Sequence, residues 1–343
     1  MPVSPQGPLR VVAIGGGTGL SALLKGLKKY SHVNARLPSP YPLMDITAVV
    51  TVTDDGGSSG RLRRELAMLP PGDIRNCMAA LAEDEALLTR LFQYRFDSGR
   101  GLRGHSFGNL FLAVMTQLTG DFAKAVKLSS EVLAIAGRIY PSTDSQVVLR
   151  ATLASGEIVE GESRISRAAS PIARIELAPA QCRPLKETLA AIANADLITI
   201  GPGSLYTSLI PNLLVRGIAG AIARSPAVKA CILNLMSQPG ETTGMTASEH
   251  IAAIEKHARR RFIEYAVANT APFGTPAVKR YARYRAQPVA NDVDAIRRMG
   301  IQVVQLPLAA PGDKVRHDPH RLALVALQLA KKGRRRRLAS GRP

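Results

Sequence analysis

Apolar residues run along this chain in two alternating rhythms. Short β-branched runs end abruptly at glycine or aspartate, and each is followed by a stretch whose apolar residues stand three and four apart. From Val11 the sequence reads VVAI, then GGGTG, then LSALLKGLKKY, with Leu20, Leu23, Leu24 and Leu27 on one helical face. This is a buried strand, a tight turn and an amphipathic helix. Residues 46–53 (ITAVVTVT) form a second buried strand that stops at Asp54-Asp55-Gly56-Gly57. Pro38, Pro40 and Pro42 interrupt the segment between that helix and this strand.

The spacing predicts helices over residues 73–94 and 107–134, the second broken at Gly120-Asp121. Residues 146–165 alternate as QVVLRATL and IVEGESRI around Ala154-Ser155-Gly156-Glu157, a β-hairpin inserted at one edge. Strand, glycine loop and helix return at 196–200, at Gly201-Pro202-Gly203-Ser204 and from Leu205 to Gly217. Later strands are expected at 231–236, 263–269 and 301–306, and helices at 247–260, 289–299 and 319–332. Such alternation predicts an α/β fold, a Rossmann-like three-layer sandwich with a mostly parallel sheet, a helical insertion and a β-hairpin insertion. One domain over residues 11–332 is preferred to two halves cut at the hairpin, with 1–10 an N-terminal extension and 333–343 a disordered basic tail.

Composition narrows the setting. The 343 residues carry 45 Lys+Arg against 26 Asp+Glu, a net +19 that favours phosphates as neighbours. Seven of the basic residues fall in the last thirteen, yet the body stays basic without them. Cys77, Cys182 and Cys231 are far apart and lack CxxC spacing, which suggests neither a disulfide framework nor a cysteine zinc site. The start lacks a secretory h-region, and Leu209 to Ala223 is broken by Pro211, Asn212 and Arg216, so no membrane span is expected and a cytoplasmic location is. No helix-turn-helix, zinc-finger or RNP signature appears, and aromatic residues are only 4%, so no specific nucleic acid is expected.

Three loops at strand ends carry the candidate chemistry. Gly15, Gly16, Gly17 and Gly19, with Thr18, clear side chains from a helix N-terminus so that backbone amides can meet a phosphate. The spacing is neither GxGxxG nor a Walker loop, and a ligand-free turn is the alternative reading. In the second loop, Asp54 and Asp55 stand side by side and want a cation or a hydroxyl donor; a sugar hydroxyl or a phosphate-bound Mg²⁺ would each serve. Gly57, Ser58 and Ser59 can donate to an anion there and Arg61 can neutralise it, against the plainer reading of a cap and turn. The third loop, Gly201, Gly203, Ser204 and Tyr206, offers a second anion site or a simple helix cap. Asp73, Arg75 and Asn76 open one helix and His105 and Asn109 another, each either facing the loops or merely structural. NLMSQPGE at 234–241 reads as a ligand-facing loop, Arg316 as a phosphate contact, and His317 with His320 as an improbable zinc pair.

These motifs resemble the CofD-like superfamily and, within it, the gluconeogenesis-factor (YvcK-type) proteins of bacteria. The resemblance rests on GGGTGLSALLKGL at 15–27, VTVTDDGGSSGRLR at 50–63, PPGDIRNCMAAL at 70–81, GHSFGNL at 104–110, GPGSLYTSLIPNLLVRGI at 201–218, NLMSQPGET at 234–242 and RHDP at 316–319. It implies a Rossmann-like protein that binds UDP-N-acetylglucosamine or UDP-glucose and couples carbon metabolism to cell shape and peptidoglycan synthesis during gluconeogenic growth. Cell-wall synthesis proteins as partners and a homo-oligomeric state are expected with it. The enzyme branch of the superfamily implies the alternative, an Mg²⁺-dependent 2-phospho-L-lactate transferase. There Asp54 and Asp55 would hold metal, Arg61 would stabilise developing charge and His105 would shuttle a proton. Gly56-Gly57-Ser58-Ser59-Gly60-Arg61 after the acids departs from that branch.

Overall fold

The computed structural model describes residues 7–31, 43–83 and 85–340, so the proline-broken stretch at 38–42 lies outside the described residues. Strand β1 (Leu9–Gly15) and the next one, β2 (Met44–Val50), are almost wholly buried, as expected of β-branched runs covered on both faces. Between them α1 (Gly17–Leu27) lays Leu20, Leu23, Leu24 and Leu27, all fully buried, against the sheet. Each such burial contributes roughly 1.5–3 kcal/mol.

A helical block follows: α2 (Gly57–Leu66), α3 (Gly72–Leu81), α4 (Glu85–Gln93), α5 (Phe107–Thr119) and α6 (Phe122–Val132). The helix expected over 73–94 is two helices. The one expected over 107–134 breaks where anticipated, because Gly120 takes φ +68 and Asp121 caps α6 through Lys124 N. Where a loop is expected after Asp55, helix α2 starts inside the glycine-serine run, so Ser58, Ser59 and Arg61 project from its first turns.

The chain then adds β3 (Arg138–Pro141) to the main sheet and builds a small antiparallel sheet from β4 (Val148–Leu153), β5 (Ile158–Glu160) and β6 (Ile172–Ala178), with the single turn α7 (Glu162–Ile165) between the last two. The expected hairpin is β4 and β5. A third strand, β6, joins it on the other side of β4.

After α8 (Lys186–Asn194), the second half of the main sheet is laid down by β7 (Leu197–Ile200), α9 (Ile210–Leu214), α10 (Ile218–Arg224), β8 (Val228–Ile232), α11 (Ala247–Ala258), β9 (Tyr265–Asn269), α12 (Thr275–Ala282), α13 (Val293–Arg298) and β10 (Gln302–Leu306), and α14 (Pro319–Ala339) closes the fold. Its strand order is β10-β9-β8-β7-β1-β2-β3, and every pairing in it is parallel. The fold is therefore Rossmann-like α/β. The order reverses between β1 and β7, and ligands bind such sheets in the crevice beyond the strand ends at that reversal.

Both chain ends depart from expectation. Leu9 and Arg10, assigned to an extension, begin β1. Residues 333–339, expected as a disordered basic tail, continue α14. The cause is a buried acid: Asp196 accepts from Arg334 Nη2 at 2.9 Å, from Arg337 Nε at 3.0 Å and from Arg10 N at 2.8 Å. Arg334 and Arg337 are counter-ions rather than solvated charge. Among the described residues no single helix is long and apolar enough to cross a membrane.

Candidate functional site

The first and third glycine loops meet at the crevice. A Cβ on Gly19 would stand 2.6 Å from the carbonyl oxygen of Pro202, so only glycine lets the start of α1 approach the loop after β7 this closely. Asn212 ties the two together by donating to Gly15 O at 3.1 Å and Ser208 O at 2.7 Å. The N-cap of α1, Gly16, carries no capping side chain; Asp73 takes the Gly17 amide, and Thr18 and Gly19 of the first turn line the crevice.

A cavity of about 820 Å³ opens there, lined by residues 16–19 and 202–204. Among the described residues, Lys25, Arg75, Arg95 and Arg316 supply four cations, and no aspartate or glutamate lines it. Burial and then the nearby Arg95 hold the Arg75 guanidinium below its usual range; an anion between the two arginines would relieve that repulsion. Arg75 is aimed by Ser106 Oγ at 2.6 Å and Asn76 Oδ1 at 2.7 Å, which accept from its two terminal nitrogens. Amide groups at Asn76, Gln93, Asn234 and Gln238 add neutral hydrogen-bonding capacity, and Gln238 Nε2 donates to Ser204 Oγ at 2.7 Å.

His317 also lines the cavity. Its Nε2 donates to Leu233 O at 3.1 Å, and burial lowers its pKa to about 4, so the ring is neutral at ordinary pH. Together the lining presents backbone amides at a helix N-terminus, four cations and a set of neutral polar groups, which suits a phosphorylated organic anion.

The acidic loop stands behind this wall. Asp54 Oδ1 accepts from Gly56 N at 2.8 Å, whereas Asp55 Oδ1 accepts from Ser163 N at 2.8 Å in the small-sheet insertion. Asp73 lies between Asp54 and the first glycine loop, where it accepts from the Gly17 amide. Burial first, and then Asp54, raise its carboxyl to about 7. Glu162 is pushed to about 9 by burial, with Asp73 and Asp54 the next causes. Glu241 accepts from Tyr206 N at 3.2 Å and Thr207 Oγ1 at 3.1 Å and so holds the third loop from below; burial raises its pKa.

The adjacent acids therefore do not act as one pair. Asp54 and Asp55 are engaged by donors on different elements, and among the described residues no group of three His, Cys, Asp or Glu is arranged to hold a metal ion. The fit to an Mg²⁺ site centred on the two is poor.

Of the residues singled out from sequence, Gly16, Gly17, Thr18, Gly19, Arg75, Asn76, Gly203, Ser204 and Arg316 come together around the cavity. Gly15 and Gly201 sit at the strand ends beneath it. Gly57, Ser58, Ser59 and Arg61, with His105 and Asn109, form a neighbouring buttress outside the lining: Ser58 Oγ bonds His105 Nδ1 at 2.9 Å, Asn109 Nδ2 donates to Ser59 Oγ at 3.3 Å and Arg61 donates to Arg103 O at 2.7 Å. Burial and then Arg61 lower the His105 pKa. Tyr206 turns away and packs edge-on against His257 with ring centroids 5.8 Å apart. His317 and His320 do not act as a pair, since His317 is buried against Leu233 and His320 is exposed on α14.

Lys25, Gln93, Arg95 and Tyr281 were missed. They reach the cavity from the bodies of helices and from a loop, with no local motif; only their tertiary placement reveals them. Lys25 carried a faint signal, being off the apolar face of α1 and two turns from its glycine start.

Comparison with known proteins places the chain among relatives of one family. The family described as 2-phospho-L-lactate transferase CofD matches residues 11–309. The gluconeogenesis factor of Bacillus subtilis is 45% identical over 323 residues, covering 94% of this chain and 98% of that one. The putative gluconeogenesis factor of a Nostoc species is 50% identical over 327 residues, covering 94% and 69% respectively. A crystal structure of a Bacillus halodurans protein described as a member of the UPF0052 family matches with a TM-score of 0.87 at 44% identity, over 94% of this chain and 99% of that one.

Proposed function

Because the chain belongs to the gluconeogenesis-factor family of CofD-like proteins, we propose that it is a cytoplasmic nucleotide-sugar-binding regulator that holds UDP-N-acetylglucosamine or UDP-glucose in the crevice cavity. In this reading it acts, as a homo-oligomer, on cell-wall synthesis proteins, and so sustains peptidoglycan synthesis and cell shape during gluconeogenic growth.

The observation that carries the reading is the lining: Thr18 and Gly19 at the start of α1 share the cavity with four cations, and among the described residues no carboxylate lines it. A diphosphate carries two negative charges and needs such a surface. The neutral amides of Asn76, Gln93, Asn234 and Gln238 suit a base and a sugar, and a cavity of about 820 Å³ falls within the usual range for small-ligand sites. Holding the ligand requires no chemistry of the acids behind the wall, which brace the loops. Calorimetry with UDP-N-acetylglucosamine, UDP and GTP tests it: heat with the uridine ligands at micromolar affinity is expected, and a preference for GTP, or no heat with any of the three, overturns it.

The matched family's name keeps a second reading, an Mg²⁺-dependent 2-phospho-L-lactate transferase-like enzyme. Its candidate groups fit less well, since His105 is engaged by Ser58 and the two aspartates by separate backbone donors. Product formed from an activated phospholactate donor and a deazaflavin with Mg²⁺, and lost in Asp55→Asn, would favour it over a binding role.

A further inference from the structure

We propose that a second groove, sharing no lining residue with the crevice cavity, binds an acidic, extended segment of a partner protein, which adds as a strand to the free edge of β6. The groove, about 1070 Å³, runs between β6, the turn joining α9 to α10 and the C-terminal end of α11.

The edge is open because β4 is the middle strand of the small sheet and, among the described residues, β6 pairs with no strand on its other side. Ile175 N donates outward to His257 Nε2 at 3.1 Å, and Ala173 O accepts from Lys256 Nζ at 3.5 Å. Antiparallel alternation places the main-chain groups of Ile175 and Leu177 on this side, and Ala173, skipped by the register shift at the end of the pairing, adds its carbonyl. Side chains, rather than another strand, cover them, and a peptide strand can replace such partners.

Charge selects the occupant. Seven basic side chains line the groove against one carboxylate, Glu176, which is already paired with Arg174 at 2.9 Å. Arg224 and Arg260 converge over Gly220, where a Cβ would stand 3.2 Å from Arg224 Nη1 and 3.9 Å from Arg260 Nε. Among the described residues, Arg224, Lys256, Arg259 and Arg260 make no ion pair with a carboxylate, and all four are exposed. Cations gathered on a strand edge discourage pairing with a second copy of a chain whose net charge is +19, and they favour an acidic strand. Among the described residues, phenylalanine, tyrosine and tryptophan are missing from the lining, so a single-stranded nucleic acid would find no such ring to stack on.

The probe is a fluorescein-labelled ten-residue peptide of alternating Glu and Val, followed by anisotropy against the full chain. Saturable binding that weakens with salt is expected. Arg224→Glu combined with Arg260→Glu should weaken it at least tenfold while leaving the thermal melt in place, and the milder Arg224→Gln with Arg260→Gln gives the same direction should the reversal fail to fold. A peptide with its edge-facing amides N-methylated should also bind at least tenfold more weakly. No binding, equal binding by both arginine variants, equal binding of the methylated peptide, or a tighter grip on a ten-nucleotide oligothymidylate would each overturn the proposal.

Discussion

The two ends of the central sheet handle buried charge in opposite ways. Below the N-terminal end of β7, Asp196 is fully buried and saturated: Arg334 and Arg337 close on its carboxylate and Arg10 N completes the set. Beyond the C-terminal ends, charges of one sign are kept together. Cations line the cavity, and behind them burial first, and then the closeness of Asp54, Asp73 and Glu162 to one another, makes Asp73 and Glu162 hold protons well above the ordinary carboxylate range. Balanced charge fastens the fold; gathered like charge is strain that a ligand or a proton must relieve. The comparison supports the proposal that the upper end is the working end, without appeal to any motif.

The largest effect is expected at the balanced end. Asp196→Ala removes the buried carboxylate that Arg334 and Arg337 share and should cost about 3–5 kcal/mol in urea unfolding, with the affinity of the folded protein for UDP-N-acetylglucosamine unchanged. A loss of affinity with stability intact would erase the distinction between the two ends. Next is Arg316→Ala, which removes an exposed cation from the cavity wall and should weaken nucleotide-sugar binding about ten- to a hundredfold, from the usual 1.5–3 kcal/mol of a charged hydrogen bond. Its melting temperature should barely move.

Much of this division was legible in the sequence. The buried parallel strands β1, β2 and β7 announce themselves as β-branched runs, and the glycines after β1 and β7 mark where two loops must touch, as Gly19 and Pro202 do. Strand β3 was hidden because RIYP is only four residues long and ends in proline. Strand β6 carries the alternating sequence IARIELA but no turn signal linking it to the hairpin. Asp54 and Asp55 misled for a physical reason: adjacent residues leaving a strand point apart, so closeness in sequence did not become a shared site. The tail misled for another, since its counter-ion Asp196 lies far away in the chain.

The raised carboxyls give a smaller, pH-dependent effect. Unfolded glutamate loses its proton near 4.5 and folded Glu162 near 9, so the folded state binds the extra proton between those values and its stability falls as pH rises across that window. Glu162→Gln should flatten this slope in thermal melts from pH 5 to 9. An unchanged slope would mean that the acids behind the wall are not under mutual strain. Smallest of all is Asp55→Asn, which keeps an acceptor for Ser163 N and should change nucleotide-sugar affinity by less than about twofold, with Mg²⁺ or with EDTA. A tenfold loss seen only with Mg²⁺ would move metal into the site.

A crystal structure of the protein soaked with UDP-N-acetylglucosamine tests the central claim most directly. The diphosphate is predicted within hydrogen-bonding distance of the Thr18 and Gly19 amides and of Arg316. Density for it against Asp54 and Asp55, or away from the crevice between β1 and β7, would contradict the account.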